Sequence, residues 1–395
     1  MSTTSSNRRL DFSYFLSMSA LGFILPFLPL YLAEKGVSDQ ALGLIWAIGA
    51  LTGILQLPIG KWSDQPGRRR PILLGSLIVV ALAGLVIPYA TSILVLGFFV
   101  MLFSENGIPR SLIESLSGAE VRALAKEGEE GRALSALRIY RPAGIILVTL
   151  LCGWLSSKLE LETLFNFVAV IQVIAIFGLL LMSKSAIKRE KSQDELAETN
   201  NVRWNNDRPL WFFIAAMILY FVCNAPQGIY FSLFVVRDLS IDQSFVAFTF
   251  ILDMIAWFIV VKPVGWLADR YPIRPLLFIC WLLLVAKTLI IGMSSEMWTI
   301  AFAKTIDGTS NGMFSVIAAL WTVDRLGGRQ RSGEAFAIVG TSLVIGSSLG
   351  TFLSSFFVEE LGYRNLYVAL GSICILGTLC LFGVPNVTKA TESNS

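Results

Sequence analysis

The chain has 395 residues, of which 55% are hydrophobic and 15% charged, and its mean hydropathy is +0.68. That composition excludes an ordinary water-soluble enzyme, because a soluble fold needs more charged surface than this chain supplies. The 31 Lys and Arg against 28 Asp and Glu leave only +3, too little for a nucleic-acid-binding field, and the 0 His remove histidine metal sites and catalytic histidines.

Apolar stretches of about 20 residues, enough for a helix to cross a hydrocarbon layer of about 30 Å, recur along the whole chain. In the first half they cover 12–32, 41–60, 71–90, 93–117, 134–157 and 163–183, and after a polar break 209–236, 243–266, 275–292, 297–323, 335–358 and 365–387. The sequence therefore predicts an all-α polytopic membrane protein, with twelve transmembrane helices in two six-helix pseudo-symmetric halves. The halves are expected at 1–183 and 209–395, joined by a cytoplasmic linker at 184–208. The first stretch is too long for a signal-peptide core and lacks a small-residue cleavage site, so no cleaved leader is expected. The five cysteines, Cys152, Cys223, Cys280, Cys374 and Cys380, lie singly in apolar runs and read as packing thiols.

With loops assigned alternately, 21 Lys and Arg fall on the side of the N-terminus and linker, and only Lys35, Lys158, Arg237 and Arg364 on the other. The positive-inside rule makes the first side cytoplasmic, so both termini are expected in the cytoplasm of a cell inner membrane. The halves also repeat each other at an offset near 203: Asp39-Gln40 recurs as Asp242-Gln243, Gly60 and Asp64 as Gly265 and Asp269, Gly131 as Gly333, and Gly144 as Gly346. A fixed offset in the same order marks a duplicated unit.

The loop after the second stretch reads Gly60-Lys-Trp-Ser-Asp64-Gln-Pro-Gly67-Arg68-Arg69-Arg70, and its counterpart Gly265-Trp-Leu-Ala-Asp269-Arg270. This resembles the G-x-x-x-D-x-x-G-R-[KR] loop of the major facilitator superfamily, and the resemblance extends over essentially the whole chain. It implies that the loop locks the cytoplasmic side, with Asp64 against the start of the eleventh span near residues 332–335. Glycine tolerates a positive φ in a tight turn, and a carboxylate at a membrane boundary complements a helix N-terminus and arginines. A plain positive-inside anchor would not require Gly60 and Asp64 at this spacing.

Ionisable residues inside spanning helices are costly, so each is either paired or functional. By position, Glu105, Asp253 and Asp307 fall near the midplane, and Arg110, Glu114, Arg138 and Arg141 toward the cytoplasmic half. Arg110 and Glu114 are spaced i,i+4, which suits an intrahelical ion pair; Lys304 and Asp307 are i,i+3. Asp253 has no basic residue within one turn of its own helix. Without histidine, a protonation step falls to a carboxylate, with Asp253 and Asp307 ahead of Glu105. Asn224, Gln227 and Asn311 are suited to hydrogen-bonding a ligand or a neighbouring helix. Lys262 and Lys287 read as snorkelling residues. The stretch 131–144, with Asn106 to Pro109, is similar to spans 4 and 5 of lactose-permease-like and phenylpropionate-type permeases. That similarity implies that Arg138 pairs with an acid and holds substrate.

The function expected is a secondary transporter, not an enzyme, that moves a small organic solute by alternating access with proton coupling. Its partners are the solute, protons and the lipid bilayer, with no nucleic acid, metal or cofactor, and the chain acts as a monomer. A facilitative or sodium-coupled carrier, a drug or metabolite exporter and a non-transporting receptor are the alternatives. The chain has no G-x-x-x-x-G-K-[ST] run, which excludes ATP drive within it.

Overall fold

A computed structural model describes residues 2–63, 68–105, 107–124, 130–156, 158–180, 207–326 and 332–385. The first-half helices are α1 (Ser2–Ser19), α2 (Leu21–Glu34), α3 (Asp39–Thr52), α4 (Gln56–Ser63), α5 (Arg69–Val86), α6 (Ile93–Phe103), α7 (Ile108–Leu124), α8 (Glu130–Leu155) and α9 (Leu161–Leu180). The second half contains α10 (Arg208–Leu233), α11 (Gln243–Arg270), α12 (Ile273–Met293), α13 (Met297–Arg325) and α14 (Ser332–Cys380). Among the described residues there is no strand. An all-helical chain of this hydropathy satisfies its backbone groups internally, as a bilayer requires.

Nine helical stretches among the described residues are long and apolar enough to span a membrane, where the sequence predicts twelve. The difference has local causes. A 3-10 turn at Gly53–Leu55 divides the second stretch into α3 and α4, and the apolar run of α13 is interrupted by Lys304, Asp307, Ser310 and Asn311. The last two stretches are continuous as α14, except at Gly362, whose φ of 71° and ψ of 166° break the helix there. A positive φ of that kind is one that glycine adopts without a Cβ clash. The fourth stretch is two helices rather than one. Ser104 leaves α6 in an extended conformation (ψ 164°), and Pro109 in the first turn of α7 needs no hydrogen-bonded N–H.

The chain forms two compact units: Met1–Leu196 with Ile229–Ile251, and Ala197–Gly228 with Leu252–Ser395. It passes from one to the other inside α10 and again inside α11. The first unit packs Phe165 against Phe23 and Phe103, with ring centroids 5.0 and 5.3 Å away. The second is built round Trp281, Trp321, Tyr220 and Phe314, with Tyr220 stacked on Phe314 at 4.5 Å. Lipid is as apolar as these cores, so close packing holds such helices together more than burial from water does.

The sequence repeat corresponds to matching contacts. A Cβ on Gly144 of α8 would lie 3.0 Å from the Phe15 carbonyl oxygen of α1, and one on Gly346 of α14 2.5 Å from the Ile218 carbonyl oxygen of α10. Each glycine thus admits a close helix crossing in its own unit. Arg70 donates to the carbonyls of Leu179 and Leu180 at 3.3 and 3.1 Å, closing the end of α9, and Arg274 donates to the Phe382 carbonyl at 3.2 Å beyond α14. Both arginines follow the repeated loop and satisfy carbonyls that a helix end leaves open.

Candidate functional site

In the first unit, Arg141 of α8 joins two acids of the divided fourth span. It donates to Glu105 Oε1 at 2.5 Å, in the break between α6 and α7, and to Glu114 Oε2 at 2.6 Å on α7. Their side chains remain partly accessible, at 22% for Arg141, 29% for Glu105 and 38% for Glu114. Arg138, one turn earlier on α8, is exposed. Both acids bond Arg141, one turn beyond the Arg138 to which the permease similarity points.

Arg110 is placed differently from the expected i,i+4 pair. It is 1% exposed and reaches away from Glu114, donating to the Ser17 carbonyl of α1 at 2.7 Å and the Phe103 carbonyl at 3.4 Å. The Phe103 ring lies 5.7 Å from its guanidinium. The interrupted α6 leaves carbonyls without intrahelical donors, and a guanidinium with five N–H groups supplies them. Arg110 therefore ties the broken span to α1 instead of lining an open cavity.

The second unit contains a closed network on α10, α11, α12 and α13. Asp307 accepts from Lys287 at 2.6 Å, from Lys304 at 2.7 Å and from the Asn311 amide at 2.9 Å. Lys304 also pairs with Asp253 Oδ2 at 2.9 Å. Lys287 donates to Asn224 Oδ1 at 2.8 Å, and Asn224 donates to Asn311 Oδ1 at 2.9 Å. Asp253 thus has its cation on another helix, where the sequence offered none on its own. Lys287, expected to snorkel, is 0% exposed. The miss has a plain cause: span position suggests depth, but only the packing shows that Lys287 faces Asp307. Gln227 donates to the Cys223 carbonyl and to Thr288 Oγ1, at 2.7 and 2.9 Å.

Two lysines and two aspartates make this network neutral, as a low-dielectric site requires. Its geometry depends on Gly308, because a Cβ there would collide with the Asp253 carbonyl and carboxylate. Of the network's carboxylate oxygens, one is left over. Asp253 Oδ1 is buried and has no hydrogen-bond partner among the described residues, whereas both Asp307 oxygens are engaged.

Of the repeated loop, Asp64 and Gly67 lie outside the described residues, as do residues 181–183 and residues 184–206 of the linker. Gly60 falls in α4, and Asp269 and Arg270 end α11. Arg68 stacks over the Trp62 ring at 5.1 Å, and Arg69 lies 3.6 Å from Glu120. Gly265 has open space where a Cβ would stand, so helix approach does not explain it. All five cysteines are free thiols, and no group of acidic residues and thiols suited to a metal occurs among the described residues.

Residues 7–369 match the MFS_1 like family. The chain is 23% identical over 380 residues to a maltose permease of Geobacillus stearothermophilus, covering 93% of this chain and 92% of that one. It is also 23% identical over 386 residues to the multidrug resistance protein MdtG of Citrobacter koseri, covering 92% and 91%. Among solved structures, the nucleoside transporter NupG superposes with a TM-score of 0.79 at 13% identity, covering 95% of this chain and 98% of that one. A D-xylose-proton symporter does so with a TM-score of 0.73 at 13% identity, covering 97% of each.

Proposed function

Because the chain belongs to the MFS_1 like family and is a membrane transporter of that type, we propose that it moves a small hydroxyl-bearing solute by proton-coupled alternating access. The two charge clusters divide the work. Glu105, Arg141 and Glu114 are partly open, and each carboxylate retains an oxygen not used by Arg141, so they receive the solute. Carboxylate and guanidinium groups on one face suit a hydroxyl pair, one accepting and the other donating. Maltose, nucleosides and D-xylose, which give three of the similar proteins their names, all bear hydroxyls.

The four charges Asp253, Lys304, Asp307 and Lys287 are buried and serve coupling. The observation that carries this reading is the unpartnered Asp253 Oδ1. A proton added there costs one ion pair, and Lys304 keeps Asp307. A proton added to Asp307 would instead remove an anion from two buried ammonium groups. Asp253 is therefore the proton carrier and Asp307 the fixed counter-ion. The excess of basic residues on the linker side supports a cytoplasmic linker and termini in a cell inner membrane.

The test uses proteoliposomes with an internal pH dye. Uptake of the solute identified by a thermal-shift screen of neutral sugars and nucleosides should acidify the lumen. Asp253→Asn should abolish that proton movement and keep solute counterflow. Solute uptake by wild-type protein without proton movement refutes coupling.

A further inference from the structure

Within the first compact unit, the end of α2, the end of α8 and the start of α9 border a cavity of about 540 Å³, at loops that the sequence places opposite the linker. Its charged lining is Glu34 and Lys35 from the first loop, with Lys158, Glu160 and Glu162 from the loop between α8 and α9. Three carboxylates against two ammonium groups leave one negative charge. Lys35 bonds Glu162 at 3.0 Å, and Lys158 stands over the Trp154 ring, 4.1 Å from its centroid. Glu162 also lies in the first turn of α9, where a helix N-terminus favours a carboxylate. Glu34 is close enough to Glu160 to feel its charge, and neither has an ion pair among the described residues. Two neighbouring carboxylates repel each other unless a cation joins them.

Tyr31, one turn before Glu34 on α2, lines the same cavity and is 2% exposed. Its hydroxyl has no hydrogen-bond partner among the described residues, although the Lys35 ammonium lies 5.5 Å from the ring centroid. A buried hydroxyl left without a partner is costly, so it marks a place where a polar group is missing. The ring packs on Phe165, with centroids 5.3 Å apart, and this holds the hydroxyl in position. Two helices also end at the cavity, α2 at Glu34 and α8 at Leu155, and the C-terminal end of a helix carries partial negative charge.

We propose that this cavity binds a primary ammonium group, whose three N–H donors go to Glu34, Glu160 and the Tyr31 hydroxyl. One positive charge cancels the excess carboxylate, and three donors match three acceptors. A metal ion fits less well, because no group of acids suited to one occurs among the described residues. The ammonium can belong to a soluble amine or to the aminoethyl headgroup of a phospholipid; in the second case Trp154, 61% exposed beside the cavity, lies against the lipid. No residue of this site belongs to the Glu105–Arg141–Glu114 cluster or to the Asp253–Asp307 network, so the proposal does not depend on the transport reading.

The experiment uses the full-length protein in two arms. Calorimetric titration in lipid-free detergent micelles compares ethanolamine with choline, which has the same charge and no N–H. Native mass spectrometry after release from nanodiscs of equal phosphatidylethanolamine and phosphatidylcholine counts the lipid retained. In at least one arm the primary amine should be preferred by about tenfold, the effect of charge-assisted hydrogen bonds that the quaternary amine cannot make. A preference in micelles identifies a soluble amine, and one confined to nanodiscs identifies the lipid. Glu34→Gln and Glu160→Gln should each reduce the preference by about tenfold, and Tyr31→Phe by about threefold. Lys158→Gln, which removes a competing cation, should not reduce it. No preference in either arm, or one that survives Glu34→Gln or Glu160→Gln, overturns the proposal.

Discussion

Asp307 accepts three hydrogen bonds, two of them from ammonium groups, while Asp253 accepts one and leaves an oxygen bare. The same substitution at the two positions should therefore have unequal effects. Asp307→Asn leaves Lys287 and Lys304 with one anion between them and should cost about 3–5 kcal/mol, the range for breaking a buried pair. Asp253→Asn also leaves two lysines with one anion, but both keep their bond to Asp307, so it should cost less than Asp307→Asn. Thermal unfolding in detergent by tryptophan fluorescence will rank them, and an equal drop in Tm contradicts the assigned roles. Arg110 illustrates how burial changes a residue's task. Its spacing from Glu114 suits an ion pair, but the Ser17 carbonyl of α1 and the Phe103 carbonyl at the end of α6 hold the guanidinium instead.

At the scale of elements, the break between α6 and α7 brings Glu105 into line with Glu114, so that one arginine on α8 reaches both. A continuous helix would separate residues nine apart by about 13 Å along its axis. A second device ends α13 and starts α10. Asp207 takes a bidentate pair from Arg325, with both N–O distances 2.8 Å, and its side chain also caps Leu210 N at 3.4 Å. Hydrogen bonding from Arg325 holds the Asp207 carboxyl below the usual carboxylate range. The folded value is thus below the unfolded one, so this stabilisation is complete above about pH 4 and disappears as pH falls through the lowered folded value. Because both side chains are partly exposed, at 19% and 32%, Asp207→Asn should cost no more than about 1 kcal/mol at pH 7. The difference from wild type should shrink in unfolding curves as the pH falls below the ordinary carboxylate range and vanish once the Asp207 carboxyl is protonated in the folded protein. A difference that persists there assigns the effect to the helix cap alone.

For the whole molecule, the duplicated unit places the same devices twice. Gly144 and Gly346 set matching helix crossings, and Arg70 and Arg274 close matching helix ends. The charged sites break that symmetry, with a partly exposed cluster in one unit and buried charges in the other. We expect the loop at Gly60–Arg70 to act as the cytoplasmic lock, as its family resemblance implies. Asp64→Asn removes a charge at nearly constant volume, so it should insert and fold normally while lowering solute counterflow in proteoliposomes at least tenfold. A rate unchanged at equal protein level would reduce the loop to a positive anchor.

Sequence alone determined the class and the repeat. Hydropathy at 20-residue spacing specifies spanning helices because lipid offers the backbone no other partner, and the Gly60–Asp64–Gly67 pattern identifies the family. The ionisable residues were legible as functional candidates for the same reason, since the cost of an intramembrane charge is independent of its neighbours. Their partners were not legible. Lys304 with Asp253, Lys287 with Asp307 and Arg141 with Glu105 meet across different helices, and which faces meet depends on tilt, rotation and the close approach that Gly308 permits. Residue spacing describes one helix at a time. The buried charge network, the split fourth span and the Asp39–Arg237 pair were decided only when the helices packed.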